Sequence, residues 1–416
     1  MKHVTGLRCT VCGRVYGVEE AGYTCVDCGE AGTLDVEYDY AYINAHTARP
    51  ALDGAPQRGM WRYRPLMPVD AGSPAPPLEV GGTPLYPAPR LAAELGLARL
   101  WVKDDGRNPT ASLKDRASAI AVVKAQEQGA RLITTASTGN AAAALAGLAA
   151  SVAMPALIFV PETAPPAKIA QLLVYGAKVL LVQGTYDQAF DLCFAASQEN
   201  GWYCRNTGIN PYVGEGKKTA AYEVAEQLGW QPPDALVVSV GDGSIIGGQY
   251  KGFYDLLQLG WIEKMPRIIG VQAEGSAALY HAWRENINPA EMQPIDAHTI
   301  ADSISAGLPR DRVKAMRAVR ESGGAFVSVT DAEILGAIPA LAQGVGVFAE
   351  PAAAAAYAGL RRAVDDGLVK AEDRVVVLAT GNGLKDIASA MKSVGGGVTV
   401  APNLDAVREA VATLLR

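Results

Sequence analysis

Lys114 sits in Asn108-Pro109-Thr110-Ala111-Ser112-Leu113-Lys114-Asp115-Arg116, at the opening turn of a helix predicted over 112–128. The amino end of a helix is electropositive and disfavours an ammonium group. A lysine there makes sense if its amine is neutral or covalently engaged, as a nucleophilic lysine's must be. Taken alone, it reads more simply as a surface lysine beside Asp115. Thr135-Ala136-Ser137-Thr138-Gly139-Asn140 joins a predicted strand to an Ala-rich helix. Hydroxyls and free backbone N–H groups converge at such a turn, which makes either a carboxylate site or an ordinary helix cap. In Val240-Gly241-Asp242-Gly243-Ser244-Ile245, a predicted strand runs through a glycine cluster into a helix. That order favours a backbone cradle for a phosphate over an empty turn. It lacks the G-x-G-x-x-G form with an acidic ribose ligand, so a dinucleotide site is excluded. The last motif, Thr380-Gly381-Asn382-Gly383-Leu384-Lys385-Asp386, closes an apolar strand with Thr380 as the first polar residue at its mouth.

Cys9, Cys12, Cys25 and Cys28 follow C-x2-C-x12-C-x2-C, and Gly13 and Gly29 follow the two pairs. This is the form of two knuckles whose tight turns aim four thiolates at one ion, and four thiolates favour a structural Zn2+. A pair of disulfides is the weaker alternative for a cytosolic chain. Cys193 and Cys204 lie among apolar and aromatic residues and read as packing.

These motifs need elements to hold them. The chain has 416 residues, 49% hydrophobic and 19% charged, enough for two or three packed domains. The net charge of −6 and the aromatic share of 7% argue against a nucleic-acid surface. Residues 132–161 carry no charge, but a Thr-Ala-Ser-Thr-Gly-Asn turn and Met154-Pro155 break the run. It therefore reads as a buried strand–helix–strand, with no membrane span. The amino terminus has no apolar run before its first cysteine, so a cytoplasmic location is expected. Strands are predicted at 99–103, 132–135, 156–160, 177–182, 235–240, 267–272 and 374–379, alternating with helices. That alternation means βαβ units on mostly parallel sheets, which bind ligands at the carboxyl ends of their strands. Residues 1–40 form a small Cys-rich module, and the Pro-rich 41–77 reads as a linker or an arm.

Taken in order, Ser-Leu-Lys-Asp-Arg, Ser-Thr-Gly-Asn, Gly-Asp-Gly-Ser-Ile and Thr-Gly-Asn-Gly-Leu-Lys-Asp resemble the fold type II pyridoxal-phosphate enzymes, most closely the threonine synthases. The resemblance covers about residues 78 to 395, and the cysteine knuckles are similar to those of several microbial members. It implies an α/β fold of two doubly wound domains with mostly parallel sheets, behind a small four-cysteine zinc ribbon. The large domain would take 78–117 plus 206–416, and the small one 118–205. Lys114 would bind pyridoxal 5'-phosphate covalently and later move protons. Gly241, Asp242, Gly243, Ser244 and Ile245 would wrap the cofactor phosphate, and Asn140 would bond the ring's phenolic oxygen. Thr380 would meet the pyridine nitrogen as a neutral partner, which suits elimination and replacement better than transamination. Ser137, Thr138 and Gly139 would hold the substrate carboxylate. Glu350, in Glu350-Pro351-Ala352, would either approach the cofactor or cap its helix, and the cap is the favoured reading.

One segment departs from the resemblance. The family often carries S-x-N-P-x-R-x-x-G-Q-K-T, whose Ser, Asn, Arg and Lys bind a substrate phosphate. Here Asn210 and Lys218 match, Gly208 takes the Ser position, Val213 takes the Arg position, and Lys217 replaces Gln. An aliphatic residue does not replace a guanidinium fork, so Asn210, Lys217 and Lys218 are left to bind the substrate. The expected activity converts O-phospho-L-homoserine and water to L-threonine and phosphate. The alternative is β-elimination or replacement, as in a threonine or serine dehydratase or a cysteate-synthase-like enzyme. Dehydratases usually show a run of glycines where Asp242, Ser244 and Ile245 interrupt it here. A non-enzymatic zinc-knuckle binding module is opposed by the intact Lys114, Asn140 and Thr380. A small, phosphorylated amino-acid substrate is expected, with no nucleic-acid or membrane partner, and the resemblance implies a homodimer.

Overall fold

The computed structural model describes residues 1–52, 57–164 and 166–415. It contains three sheets. The first is antiparallel, ordered β2-β1-β3, from β1 (Val4–Cys9), β2 (Val15–Tyr16) and β3 (Leu34–Tyr38). The six-stranded sheet is ordered β12-β11-β10-β13-β5-β4. Its members are β4 (Leu85–Pro87), β5 (Arg99–Asp104), β10 (Ala235–Ser239), β11 (Arg267–Ala273), β12 (Ala325–Val329) and β13 (Arg374–Ala379). The four-stranded sheet is ordered β8-β7-β6-β9, from β6 (Ile133–Ala136), β7 (Ala156–Pro161), β8 (Lys178–Val182) and β9 (Tyr203–Cys204). Every pairing in the two larger sheets is parallel except β4 against β5.

Parallel sheets covered by helices on both faces have central strands that are apolar along their whole length. Ala-Leu-Val-Val-Ser in β10 and Val-Val-Val-Leu-Ala in β13 are fully buried. On one face the Ala-rich helix Pro351–Asp365 packs across β10 to β13; the helix Ser244–Gln258 packs against β10 and β11, and Arg312–Glu321 against β11 and β12. From β10 the chain runs outward to β11 and β12, then returns to pair β13 on the other side of β10. That reversal is a switch point, where a crevice opens at the carboxyl ends of the strands. The carboxyl ends of β5, β6, β10 and β13 lead directly into the four motifs.

The strands of the four-stranded sheet all fall within 118–205, and the six-stranded sheet draws on both flanking regions. The Pro-rich segment 41–77 packs in part against the helix Thr219–Gln227, and its residues 53–56 are outside the described residues. Met60, Trp61, Tyr63, Leu66 and Met67 are buried, although they lie in or beside the 3-10 stretch Gly59–Leu66, which has no apolar period. Tyr63 packs its ring on Tyr222 and hydrogen-bonds Glu226.

A buried ion network anchors the start of the helix Lys114–Glu127. Arg116 Nε is 2.7 Å from Asp105 Oδ2 and its Nη1 is 2.7 Å from Glu223 Oε1. Lys103 Nζ reaches Glu223 Oε2 at 2.6 Å, and all four side chains are buried. Burial works against every charge here. Even so, Arg116 and Lys103 hold the Glu223 carboxyl well below the usual carboxylate range. Removing one member strands the others in a low dielectric. Arg116→Met is therefore expected to lower the unfolding free energy by about 3–5 kcal/mol in denaturant titrations. A loss below about 1 kcal/mol would mean that Asp105 and Glu223 find other partners.

Candidate active site

The loops at the strand ends enclose a cavity of about 800 Å3, walled by parts of three of the four motifs. Lys114 opens into it from a helix that has no side-chain cap. Its approach is fixed by backbone contacts with the fourth motif instead. Leu113 N–H donates to Thr380 O at 2.8 Å, Asn382 N–H donates to Ala111 O at 3.0 Å, and Ser112 bridges Gly381. Ala111 accepts a left-handed φ of 67° to make the turn, a strained state for a residue with a Cβ. Thr110 N–H and hydroxyl both donate to the Asp115 carboxylate. Burial pushes the Lys114 amine below the ordinary lysine range; Glu350 and Asp242 pull it back up, and Arg205 pushes it further down.

Ser137, Thr138, Gly139 and Asn140 line the same cavity. Gly139 heads the helix Asn140–Ser151, which has no side-chain cap, so the first N–H groups of that helix point toward the space. Across the cavity, Gly243 at φ 88° heads the helix Ser244–Gln258, again without a side-chain cap. A Cβ on Gly243 would lie 2.8 Å from Asp311 O, and one on Gly241 would lie 2.8 Å from Ile304 Cα. Glycine is therefore required at both positions. Lys217 donates from Nζ to Ser244 Oγ at 2.6 Å, and burial with Lys114 and Arg205 nearby drives its amine well down. Thr380 is buried at the mouth of β13, next to Gly381, which touches both Asn140 and Glu350.

Three expectations change. Glu350 stands at the cap position but makes no side-chain cap bond. Its backbone carbonyl already serves Ala353 and Ala354, and Pro351 has no N–H to cap. The carboxylate instead accepts from Asn140 Nδ2 at 2.7 Å, in room left by Gly381, where a Cβ would stand 2.3 Å from Glu350 Oε1. Burial pushes this carboxyl up to about 7, against the pull of Lys114 and the Asn140 bond. Lys218 does not reach the cavity. One residue after Lys217 on a helical turn, it points about 100° away and binds Asp255 at 2.7 Å and Glu215, under the Tyr38 ring. Asn210 braces its own loop, donating to Cys204 O at 2.8 Å and accepting from Tyr212 N–H at 2.9 Å. Gly208 takes φ 84°, and a Cβ there would sit 2.4 Å from Arg310 Cβ; Val213 is buried in the apolar core.

Sequence reasoning does not single out Arg205, Thr207 or Ser239, which also line the cavity. Each lies at or just past the carboxyl end of a strand, β9 for the first two and β10 for Ser239. That position is the signal that could have found them, but β9 is only two residues long.

In the amino-terminal module the sulfurs of Cys9, Cys12, Cys25 and Cys28 all lie within 4.8 Å of one another, and all six cysteines of the chain are free. A tetrahedral ion with sulfur ligands near 2.3 Å sets them about 3.8 Å apart; Cys12 and Cys25 are 3.7 Å apart. Gly32 closes the site, since a Cβ there would stand 2.6 Å from Cys28 Cβ.

A profile of the pyridoxal-phosphate dependent enzyme family matches residues 77–381. The threonine synthase of Methanosarcina acetivorans is 40% identical over 406 residues, covering 97% of this chain and 98% of the relative. That of Methanocaldococcus jannaschii is 39% identical over 388 residues, covering 93% and 94%. Among solved structures, threonine deaminase isoform 2 from Solanum lycopersicum superposes with a TM-score of 0.65 at 24% identity, covering 75% of this chain and 87% of its own. A fungal L-serine ammonia-lyase from Rhizomucor miehei gives 0.63 at 21% identity, covering 75% and 96%. At those identities the two structures establish the fold.

Glu350 sets a pH dependence. Its carboxyl titrates near 4.5 when exposed and at about 7 when folded, so folding favours the protonated form. Its contribution to stability is complete below 4.5 and is lost as pH rises through 7. Glu350→Gln keeps the neutral form at every pH. The melting temperature of the ligand-free variant should therefore gain on wild type between pH 5 and pH 8, by the equivalent of about 1–3 kcal/mol. An equal offset at both pH values would place the ionisation elsewhere.

Proposed function

The chain belongs to the threonine synthases, pyridoxal-phosphate-dependent lyases, and from that premise we propose how its residues turn O-phospho-L-homoserine and water into L-threonine and phosphate. The observation that carries this reading is one cavity in which a half-buried, deprotonation-prone Lys114 faces the uncapped amino ends of two helices. One helix head suits a carboxylate and the other a phosphate.

The cavity fits pyridoxal 5'-phosphate. Residues 241–245 would wrap its phosphate with backbone N–H groups, where a side chain on Gly241 or Gly243 would clash, and Lys217 adds a donor beside Ser244. Asn140 would meet the phenolic oxygen and Thr380 the ring nitrogen. When bound, the cofactor supplies a conjugated ring that withdraws electrons from the substrate's carbons.

The remaining work falls to the chain. Lys114 would hold the cofactor through a neutral amine, and that amine would take the proton from the substrate Cα and carry protons between Cα, Cβ and Cγ. Ser137, Thr138 and Gly139 hold the substrate carboxylate, which fixes Cα beside Lys114. The phosphate leaves Cγ with its bonding electron pair, water adds its hydroxyl at Cβ, and Cγ gains the proton that completes the methyl group. A neutral Thr380 hydroxyl at the ring nitrogen would leave it largely unprotonated and restrain side transamination. A changed substrate, phosphoserine or threonine undergoing β-elimination, draws its support from Gly208 and Val213.

The same reading gives Cys9, Cys12, Cys25 and Cys28 a structural Zn2+, with four protein ligands and no open position. Free thiols throughout fit a reducing cytoplasm, and among the described residues no helix is long and apolar enough to cross a membrane. A homodimer is supported by the carboxyl-terminal helix Leu404–Leu414, which buries none of its residues and exposes Leu404, Leu414 and the adjoining Leu415.

Product analysis tests the reading. The purified protein should release threonine and phosphate in equal amounts from O-phospho-L-homoserine. A keto acid from threonine or phosphoserine, with phosphohomoserine inert, would favour the changed substrate. Lys114→Ala should abolish turnover and the visible absorbance of the bound cofactor; retained turnover would remove Lys114 from its role. Stripping metal with a chelator should lower the melting temperature by several degrees while residual folded protein keeps its turnover. Lost turnover at an unchanged melting temperature would overturn a structural role for the metal.

A further inference from the structure

Arg205 is the first residue past the carboxyl end of β9, and its side chain is fully buried in the cavity wall. Nε donates to Ser118 Oγ at 3.2 Å and Nη1 donates to Thr207 Oγ1 at 2.7 Å. Nη2 is buried and has no partner. Both hydrogen-bonding partners are neutral hydroxyls, and among the described residues no carboxylate pairs with this guanidinium. The two arginines nearest in kind are treated differently. Arg116 is clasped by Asp105 and Glu223, and Arg310 lies within 3.4–3.9 Å of Glu30, Asp187 and Asp191.

Ser118 follows Lys114 by one turn on the same helix face, and the Arg205 guanidinium bonded to it is close enough to lower the proton affinity of the Lys114 amine. Lys217 is a further buried cation of this group; Arg205 lowers the proton affinity of Lys114, and Lys114 and Arg205 both lower that of Lys217. A buried charge persists without a protein counter-ion where a ligand supplies one. Lys217 is engaged at Ser244, at the head of the helix that would take the cofactor phosphate. Arg205 is not. Thr207 accepts from Arg205 and lines the cavity, so its own hydroxyl hydrogen is free to donate in the same direction.

We propose that Arg205, with Thr207, holds the phosphate group of the substrate. This rests on the reading of the site given above and deepens it. A guanidinium offers a planar fork matched to phosphate oxygens, and the segment 208–213 offers that anion no charged side chain. Arg205 is thus a substrate-binding residue that also stabilises the leaving phosphate.

The test is made on the holoenzyme. Arg205→Gln should retain cofactor absorbance and cofactor affinity, and should melt no lower than wild type in phosphate-free buffer. Its KM for O-phospho-L-homoserine should rise about 10–100-fold with a smaller fall in kcat, and the inhibition constant for inorganic phosphate should rise with it. Arg205→Lys should recover part of both constants. Unchanged KM and phosphate inhibition would overturn the proposal, as would a lower melting temperature with both constants unchanged. Loss of cofactor affinity would assign Arg205 to the cofactor's phosphate and also overturn it. Should the glutamine variant not fold, an unchanged phosphate inhibition constant in Arg205→Lys overturns the proposal equally. If wild type leaves phosphohomoserine intact, the proposed reaction fails. Calorimetric binding of inorganic phosphate to wild type and Arg205→Lys then decides the role of Arg205 by itself.

Discussion

The buried pairing of Arg116 with Asp105 and Glu223 is the constraint on which the site depends. A helix that starts without a side-chain cap has loose first-turn N–H groups and a poorly defined starting point. The helix Lys114–Glu127 is such a helix, yet its first turn must hold Lys114 to within fractions of an ångström. Two residues beyond Lys114, Arg116 ties that turn to the end of β5 through Asp105 and to the helix Thr219–Gln227 through Glu223. The strained φ of Ala111 and the backbone bonds from Leu113 to Thr380 and from Asn382 to Ala111 are held in place by the same anchor. An apolar cluster could supply the burial. It could not supply this directional link between three elements.

Much of this was legible in the sequence. The central strands β10, β11 and β13 announce themselves as continuous apolar runs because both faces of their sheet are covered. The motifs at 137–140 and 241–245 are local, since glycine and hydroxyl residues write the turn and the helix start into adjacent positions. Features set by distant partners were hidden. β4 and β9, of three and two residues, carry no period to detect. Because β9 was invisible, Arg205 did not stand out as a residue at a strand end. Lys217 and Lys218 look equivalent in a row of letters, but the rotation of one helical residue sends the first to Ser244 and the second to Asp255. Glu350 reads as a cap because Glu-Pro-Ala is a common helix start. Only the space left by Gly381, thirty-one positions later, turns its carboxylate toward Asn140.

The cysteine module is more than an appendage. β3 carries Asp35 to Arg317 and Lys314, and Tyr38 to Glu215, so the module shares half-buried ion pairs with the helix Arg312–Glu321 and a buried hydrogen bond with the helix Val213–Lys217. Its Glu30 stands at the cavity rim near Arg310. The four clustered cysteines and the proposed anion site thus belong to elements packed against one another.

Tyr23 illustrates what this packing protects. β9 is an outer strand of its sheet, paired on one side with β6 alone. On its other side the Cys204 N–H donates to the Tyr23 hydroxyl at 2.7 Å, and the Tyr23 ring packs edge-on to Tyr203 and Phe194. A side chain from another part of the chain therefore occupies the place where a stray strand would add. A chain shortened before Tyr23, or one whose knuckles have come undone, bares that edge. Its hazard is then self-association through β-addition, a route to aggregation that a measurement of turnover alone would not reveal.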